Sequence, residues 1–203
     1  RVESGAGYDR VEFARDHAWS PDGRYLAFSL ADPTGFRGIH VWSKADGGSR
    51  RVTPELFNSF IPAWDPAGEY LYFLSVREFA PQVSTIEWNF AANRATGVFA
   101  LALTRKAANP FAPRNDEVGS AAAAEAEIEE SGATGGTRPN AKDKAPPLPE
   151  VTIEFDGIVM RAIRVPIDVD NYDGLAVTGD TVLARRVDAP YYGRDGAVKP
   201  SLI

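Results

Sequence analysis

One stretch of eleven residues occurs twice in this chain, and no other feature limits its fold as strongly. Ala18-Trp19-Ser20-Pro21-Asp22-Gly23-Arg24-Tyr25-Leu26-Ala27-Phe28 returns as Ala63-Trp64-Asp65-Pro66-Ala67-Gly68-Glu69-Tyr70-Leu71-Tyr72-Phe73. Alanine, tryptophan, proline, glycine, tyrosine, leucine and phenylalanine recur at one offset, 45 residues. Self-similarity at a fixed period marks a repeat architecture, and about 40–45 residues is the span of one four-stranded propeller blade.

Each copy reads as a strand, a tight turn and a second strand. Ser20-Pro21-Asp22-Gly23 and Asp65-Pro66-Ala67-Gly68 have turn chemistry, because proline presets φ at the second position and glycine accepts a positive φ. Arg24 to Ser29 is rich in aromatic and aliphatic residues and short enough for a strand. Tyr70-Leu71-Tyr72-Phe73-Leu74 is apolar on both faces, which suits a strand sandwiched between neighbouring sheets. The tryptophan ahead of each turn, Trp19 and Trp64, is expected to pack as an apolar wedge between blades rather than to stack on a ligand.

The remainder of the first unit follows the same logic. Gly38 to Ser43 reads as a third strand, Ala45-Asp46-Gly47-Gly48 as a hairpin turn, and Ser49 to Thr53 as a fourth strand. A four-stranded antiparallel sheet with two apolar faces cannot bury both alone, so it stacks beside others in a ring or solenoid. The expected fold is all-β: propeller blades in an incomplete ring.

The chain has 203 residues, 44% of them hydrophobic and 11% aromatic, enough for a substantial core. A formal net charge of −6, with no basic stretch to offset it, argues against nucleic-acid binding. With no cysteine the chain has no disulfide, thiolate metal site or thiol nucleophile. That absence fits a reducing cytoplasm, with the periplasm as the alternative. No apolar run approaches the roughly 18 residues of a membrane span.

In chain order, the sequence divides into propeller blades over 1–113, with repeats at about 18–62 and 63–113, an insertion over 114–150, and a further, truncated blade over 151–203. Arg10 to Ala14 reads as a lead-in strand. Val98 to Leu103 is expected to be the strand that finishes the second sheet. The insertion carries four consecutive alanines, the acidic run Glu125 to Glu130, several glycines and Pro146-Pro147-Leu148-Pro149. So few bulky apolar residues cannot offset the entropy of ordering, so disorder is expected. Beyond it, Val151 to Ile158 and Arg161 to Ile167 read as strands, and Asp173 to Val187 as a hairpin turning at Gly179-Asp180. A two-blade array does not close a ring, and the chain reads as a piece of a longer polypeptide.

Chemistry is sparse. Asp168-Val169-Asp170-Asn171-Tyr172-Asp173-Gly174 suggests a calcium loop, but Tyr172 occupies the fifth position, glycine the seventh, and Gly179 the twelfth. An inter-strand turn is the better reading. His17 and His40 are the only histidines. No Gly-x-Ser-x-Gly elbow accompanies them, so both are read as structural. No metal spacing and no phosphate-binding glycine loop occur. The expectation is no catalytic, metal-binding or cofactor-binding residue and no cofactor.

The blade pair is similar to the propeller of tricorn-type serine peptidases. The resemblance rests on His17 to Phe28, Ile39-His40-Val41-Trp42, Phe57-Asn58-Ser59, Pro62 to Ser75 and Asn109-Pro110-Phe111. It extends more loosely to Asp156-Gly157-Ile158, Arg161 and Arg164-Val165-Pro166. It implies that the parent protein degrades peptides as a homo-oligomer, with propellers that filter or channel peptides towards or away from a buried active site. Catalytic residues of that family lie in a C-terminal mixed α/β region beside a PDZ-like domain, so none is carried over here. A non-catalytic binding propeller of a periplasmic transport complex is the runner-up. A prolyl-oligopeptidase-like propeller is the third reading.

Overall fold

A computed structural model describes residues 16–78, 81–83, 90–92, 94–112, 148–179, 181–188 and 199–203. The chain divides into two units, 1–109 with 148–203, and 110–147. Nearly all of the second unit, and with it the expected disordered insertion, lies outside the described residues, as does the lead-in strand at Arg10 to Ala14. The described elements are strands, apart from one 3₁₀ turn at Ile158–Arg161.

The first sheet is a four-stranded meander of β1 (His17–Trp19), β2 (Tyr25–Ala31), β3 (Arg37–Ser43) and β4 (Ser49–Arg51). Its β1–β2 turn forms as the Ser-Pro-Asp-Gly sequence dictates. Gly23 takes φ 67° and donates to the Ser20 carbonyl at 2.9 Å, and Ser20 donates to the Tyr25 carbonyl at 2.9 Å. Gly68 repeats the geometry with φ 76° and a 2.9 Å bond to the Asp65 carbonyl. The Asp-Gly pair between β3 and β4 turns with Gly47 at φ 67°.

The second sheet runs in the order β10 (Ala162–Arg164), β9 (Thr96–Ala102), β6 (Tyr70–Val76), β5 (Asn58–Trp64). Its central strands are buried on both faces: Leu71, Phe73 and Leu74 on β6, and Val98, Ala100 and Leu101 on β9, are all fully enclosed. Phe73 and Phe99 stack with ring centroids 5.7 Å apart. Each such side chain contributes roughly 1.5–3 kcal/mol by leaving water. The apolar-on-both-faces reading of this block therefore holds. Sheet one packs against β5 on one side, and the third sheet's first strand packs on β5 and β6.

The identity of the fourth strand in this sheet differs from expectation. Val98 to Leu103 does not finish the sheet; it is the third strand. β10 pairs with its far edge, with Ala162 opposite Leu101, Ile163 opposite Ala100 and Arg164 opposite Phe99. A strand buried as deeply as β9 cannot leave one row of amides unpaired, and the chain returns from 148 onward to supply the partner. Of the expected strand from Val151 to Ile158, residues 151–155 join no ladder, and Asp156-Gly157 turns the chain into the 3₁₀ turn at Ile158–Arg161. Val151 donates to the Asp22 carboxylate at 2.8 Å, and Glu154 donates to the Leu103 carbonyl at 2.9 Å. Tertiary contacts hold this segment, so its alternation signalled burial rather than pairing.

The third sheet contains β11 (Tyr172–Thr178), β12 (Thr181–Arg186) and β13 (Ser201–Leu202). Its hairpin turns at Gly179, φ 54°, as read from the sequence, while Asp180 lies outside the described residues. A short two-stranded ladder joins β7 (Pro81–Val83) to β8 (Phe90–Ala92). Among the described residues the sheets do not close a ring.

Candidate functional site

The chain-first strand of each of the three larger sheets, β1, β5 and β11, lies at a sheet edge, and successive sheets bring these edges together. Between them is an open pocket of about 520 Å³. β1 contributes His17 and Trp19, β5 contributes Ile61 and Trp64, and β11 contributes Leu175 and Val177. Three prolines (Pro21, Pro62 and Pro66) complete an apolar wall, into which Asp16 brings the single carboxylate.

Asp16 is committed to structure. Its carboxylate accepts from Ser29 Oγ at 2.6 Å and from the Ile61 N–H at 2.7 Å, so it ties blade one to blade two. Burial raises its pKa above the usual 3.8, while the two hydrogen bonds and nearby Arg37 oppose that rise. Ile61 has φ 53°. For a β-branched residue that is a left-handed outlier costing about 1–2 kcal/mol. It forms a bulge: Phe60 opposes Leu74 and Ala63 opposes Tyr72, leaving Ile61 and Pro62 together opposite Phe73. Asp16 and Ile61 occupy the same slot of successive repeats, 45 residues apart. The departure from repeat identity at that slot was the sequence signal for this contact.

The two tryptophans differ. Trp64 is 7% exposed, stacks on Tyr25 at 6.5 Å, and donates Nε1–H to the Ala18 carbonyl at 2.9 Å. It is the inter-blade wedge the sequence predicts. Trp19 is 54% exposed and meets Trp42 edge-to-face at 6.2 Å. The wedge expectation fails for Trp19 among the described residues, because none of them packs over its outer face. His17, read as structural, is exposed on the pocket rim. His40 lies in β3 and stacks on Phe28 at 5.8 Å.

The acidic run from Asp168 to Gly174 is the link into β11 and the start of that strand. Thr96 and Asp170 form a backbone bridge, and Tyr172 Oη donates to the Asp168 carbonyl at 2.8 Å. Among the described residues no group of three His, Cys, Asp or Glu side chains is placed to hold a metal ion. No helix among them is long and apolar enough to cross a membrane.

A second cluster clamps the chain where it re-enters the fold. Asp22 accepts from Ser20 Oγ, the Arg24 N–H and Nε, and the Val151 N–H. Burial pushes its carboxyl up, but these donors outweigh burial and bring it down to about 2. Arg24 also pairs with Glu150 at 2.9 Å and donates to the Val151 carbonyl. This cluster is structural: Asp22 and Arg24 turn their polar atoms onto the chain's own backbone and onto partner side chains.

Comparisons with known proteins agree with this architecture. Residues 8–200 match the family described as the tricorn protease second beta propeller domain. The tricorn protease homolog of Saccharolobus solfataricus is 24% identical over 158 residues, 78% of this chain and 12% of that protein. The tricorn protease of Thermoplasma volcanium is 31% identical over 101 residues, 47% of this chain and 10% of that protein. A crystal structure of the tricorn protease superposes with a TM-score of 0.60 at 18% identity, covering 87% of this chain and 15% of that one, a likeness of fold. The chain spans 10–14% of the length of the curated relatives it matches. With its repeated blade turn, its stacked antiparallel sheets and a family match across nearly its whole length, the chain belongs to the tricorn protease second beta propeller domain family.

Proposed function

We propose that this chain is the non-catalytic propeller segment of a tricorn-like serine peptidase, and that its inner rim guides peptides towards or away from the catalytic region of the parent protein. The observation that carries the reading is the family match over 8–200. The pocket where β1, β5 and β11 meet supports it, since concave apolar surfaces with few polar groups are where ligands bind. Homo-oligomeric assembly in the cytoplasm belongs to the same proposal, the latter from the lack of cysteine. So does the division into blades over 1–113, an insertion, and a further blade.

The test is hydrolysis of neutral fluorogenic peptides by the full-length polypeptide that carries this segment. The expected result is turnover abolished by a serine-directed phosphonate, with none from residues 1–203 alone. Absence of turnover in the full-length protein, or turnover indifferent to the phosphonate, overturns the reading.

A further inference from the structure

We propose that the outer edge of β1, unpaired among the described residues, is a peptide-docking site, at which an extended segment adds as a further strand and places an apolar side chain in the adjoining pocket. The proposal deepens the peptide-handling reading and rests on it for the class of occupant. The backbone geometry comes first. Ser29 N–H donates to the Asp16 carbonyl at 3.4 Å, and Ser20 N–H donates to the Tyr25 carbonyl at 2.9 Å. In an antiparallel ladder the residues facing the partner alternate. Asp16, Ala18 and Ser20 therefore face β2, and His17 and Trp19 turn their N–H and C=O groups to the opposite edge. Among the described residues nothing bonds those four groups.

Natural edges are guarded by lysine, proline or a covering element. Within β1, His17-Ala18-Trp19 carries neither lysine nor proline, and both outer residues are exposed. Donor–acceptor pairs two residues apart along a strand, about 7 Å, match the main chain of an extended peptide. The adjoining pocket, about 520 Å³, accepts a side chain between Trp19, Ile61, Leu175 and Val177. Charge selects the occupant. Asp16 has given its carboxylate to Ile61 and Ser29, and His17 is the other titratable group in the lining. No side chain there compensates a desolvated charge, so the segment taken is neutral and apolar.

The test is calorimetric titration of the full-length protein with the capped peptide acetyl-Ala-Ala-Phe-Ala-Ala-amide and with its copy N-methylated at every backbone nitrogen. His17→Pro removes the outward N–H without touching a ladder bond to β2, and His17→Ala removes only the side chain. Saturable binding is expected for the wild type, and His17→Ala is the reference that carries the loss of the side chain alone. His17→Pro is expected to bind about tenfold more weakly than His17→Ala, the worth of one hydrogen bond left unmade, and the N-methylated peptide at least about tenfold more weakly than the parent peptide on the wild type, since it loses its donors to the His17 and Trp19 carbonyls. Equal binding of both peptides by the wild type, equal binding by the two variants, or no saturable binding up to about 1 mM overturns the proposal. The N-methylated peptide keeps the test decisive should His17→Pro fail to fold. Hydrolysis is read separately. Turnover without backbone discrimination sinks the docking site alone, and discrimination without turnover sinks the peptidase reading alone.

Discussion

Removing the Asp16 carboxylate tests how the two blades are locked together. Asp16→Ala deletes a 2.6 Å bond from Ser29 Oγ and a 2.7 Å bond from the Ile61 N–H. Hydrogen bonds to a charged group contribute about 1.5–3 kcal/mol each. Burial of the carboxylate, which raises its pKa, returns part of that sum. The bulge at Ile61 also stores about 1–2 kcal/mol that it can release on relaxing. The net expectation is a loss of about 3 kcal/mol, or roughly 6–12 °C in Tm for a chain of this size. Asp16→Asn keeps an acceptor and an uncharged group, so it should cost less than half as much. The pH dependence has a fixed sign. The folded state holds the Asp16 proton more tightly than the unfolded state. Wild-type stability relative to Asp16→Asn therefore falls as pH rises from 3.8 through the raised pKa. Urea denaturation at several pH values reads both effects. A loss under about 0.5 kcal/mol for Asp16→Ala refutes the assignment of Asp16 as the tie between blades, and the opposite pH slope would refute the dominance of burial over the hydrogen bonds at this carboxylate.

Three further outcomes follow from the same geometry. Trp64→Ala should cost about 3–5 kcal/mol and Trp19→Ala under about 1, because the first is enclosed and hydrogen-bonded and the second is half exposed; paired thermal melts show whether the repeat-equivalent positions differ. Gly68→Ala should destabilise more than Gly23→Ala by about 1–2 kcal/mol. Both carry positive φ, but a Cβ at Gly68 meets Val151 Cγ2 at 2.8 Å and one at Gly23 meets nothing within 4 Å. The donors around Asp22 hold its carboxyl down to about 2 in the folded state against a usual 3.8, and solvent screening leaves about 1 kcal/mol of that gap as stability. That stability is fully present above pH 3.8 and is lost as pH falls through about 2, so Asp22→Asn should flatten the acid limb of a stability–pH profile.

The blade turn was legible in the sequence because its chemistry is local. Pro21 and Gly23, then Pro66 and Gly68, set the backbone angles whatever surrounds them. The buried β6 block was legible because five residues, Tyr70 to Leu74, apolar on both faces leave no solvent side. The 45-residue offset then made neighbouring sheets unavoidable.

What only the tertiary structure decided lies in contacts between segments far apart in sequence. The strand at Ala162–Arg164 was legible within Arg161 to Ile167, but its place beside β9 depends on an edge that β9 leaves open some sixty residues earlier. Val151 reads as a strand residue but is captured by Asp22 from 129 residues away. Ile61 takes a left-handed backbone that no local rule allows to isoleucine, because a carboxylate on the previous blade holds its N–H. The pocket follows the same principle: local chemistry determines each turn and strand, whereas a surface shared by β1, β5 and β11 exists only once three sheets have packed.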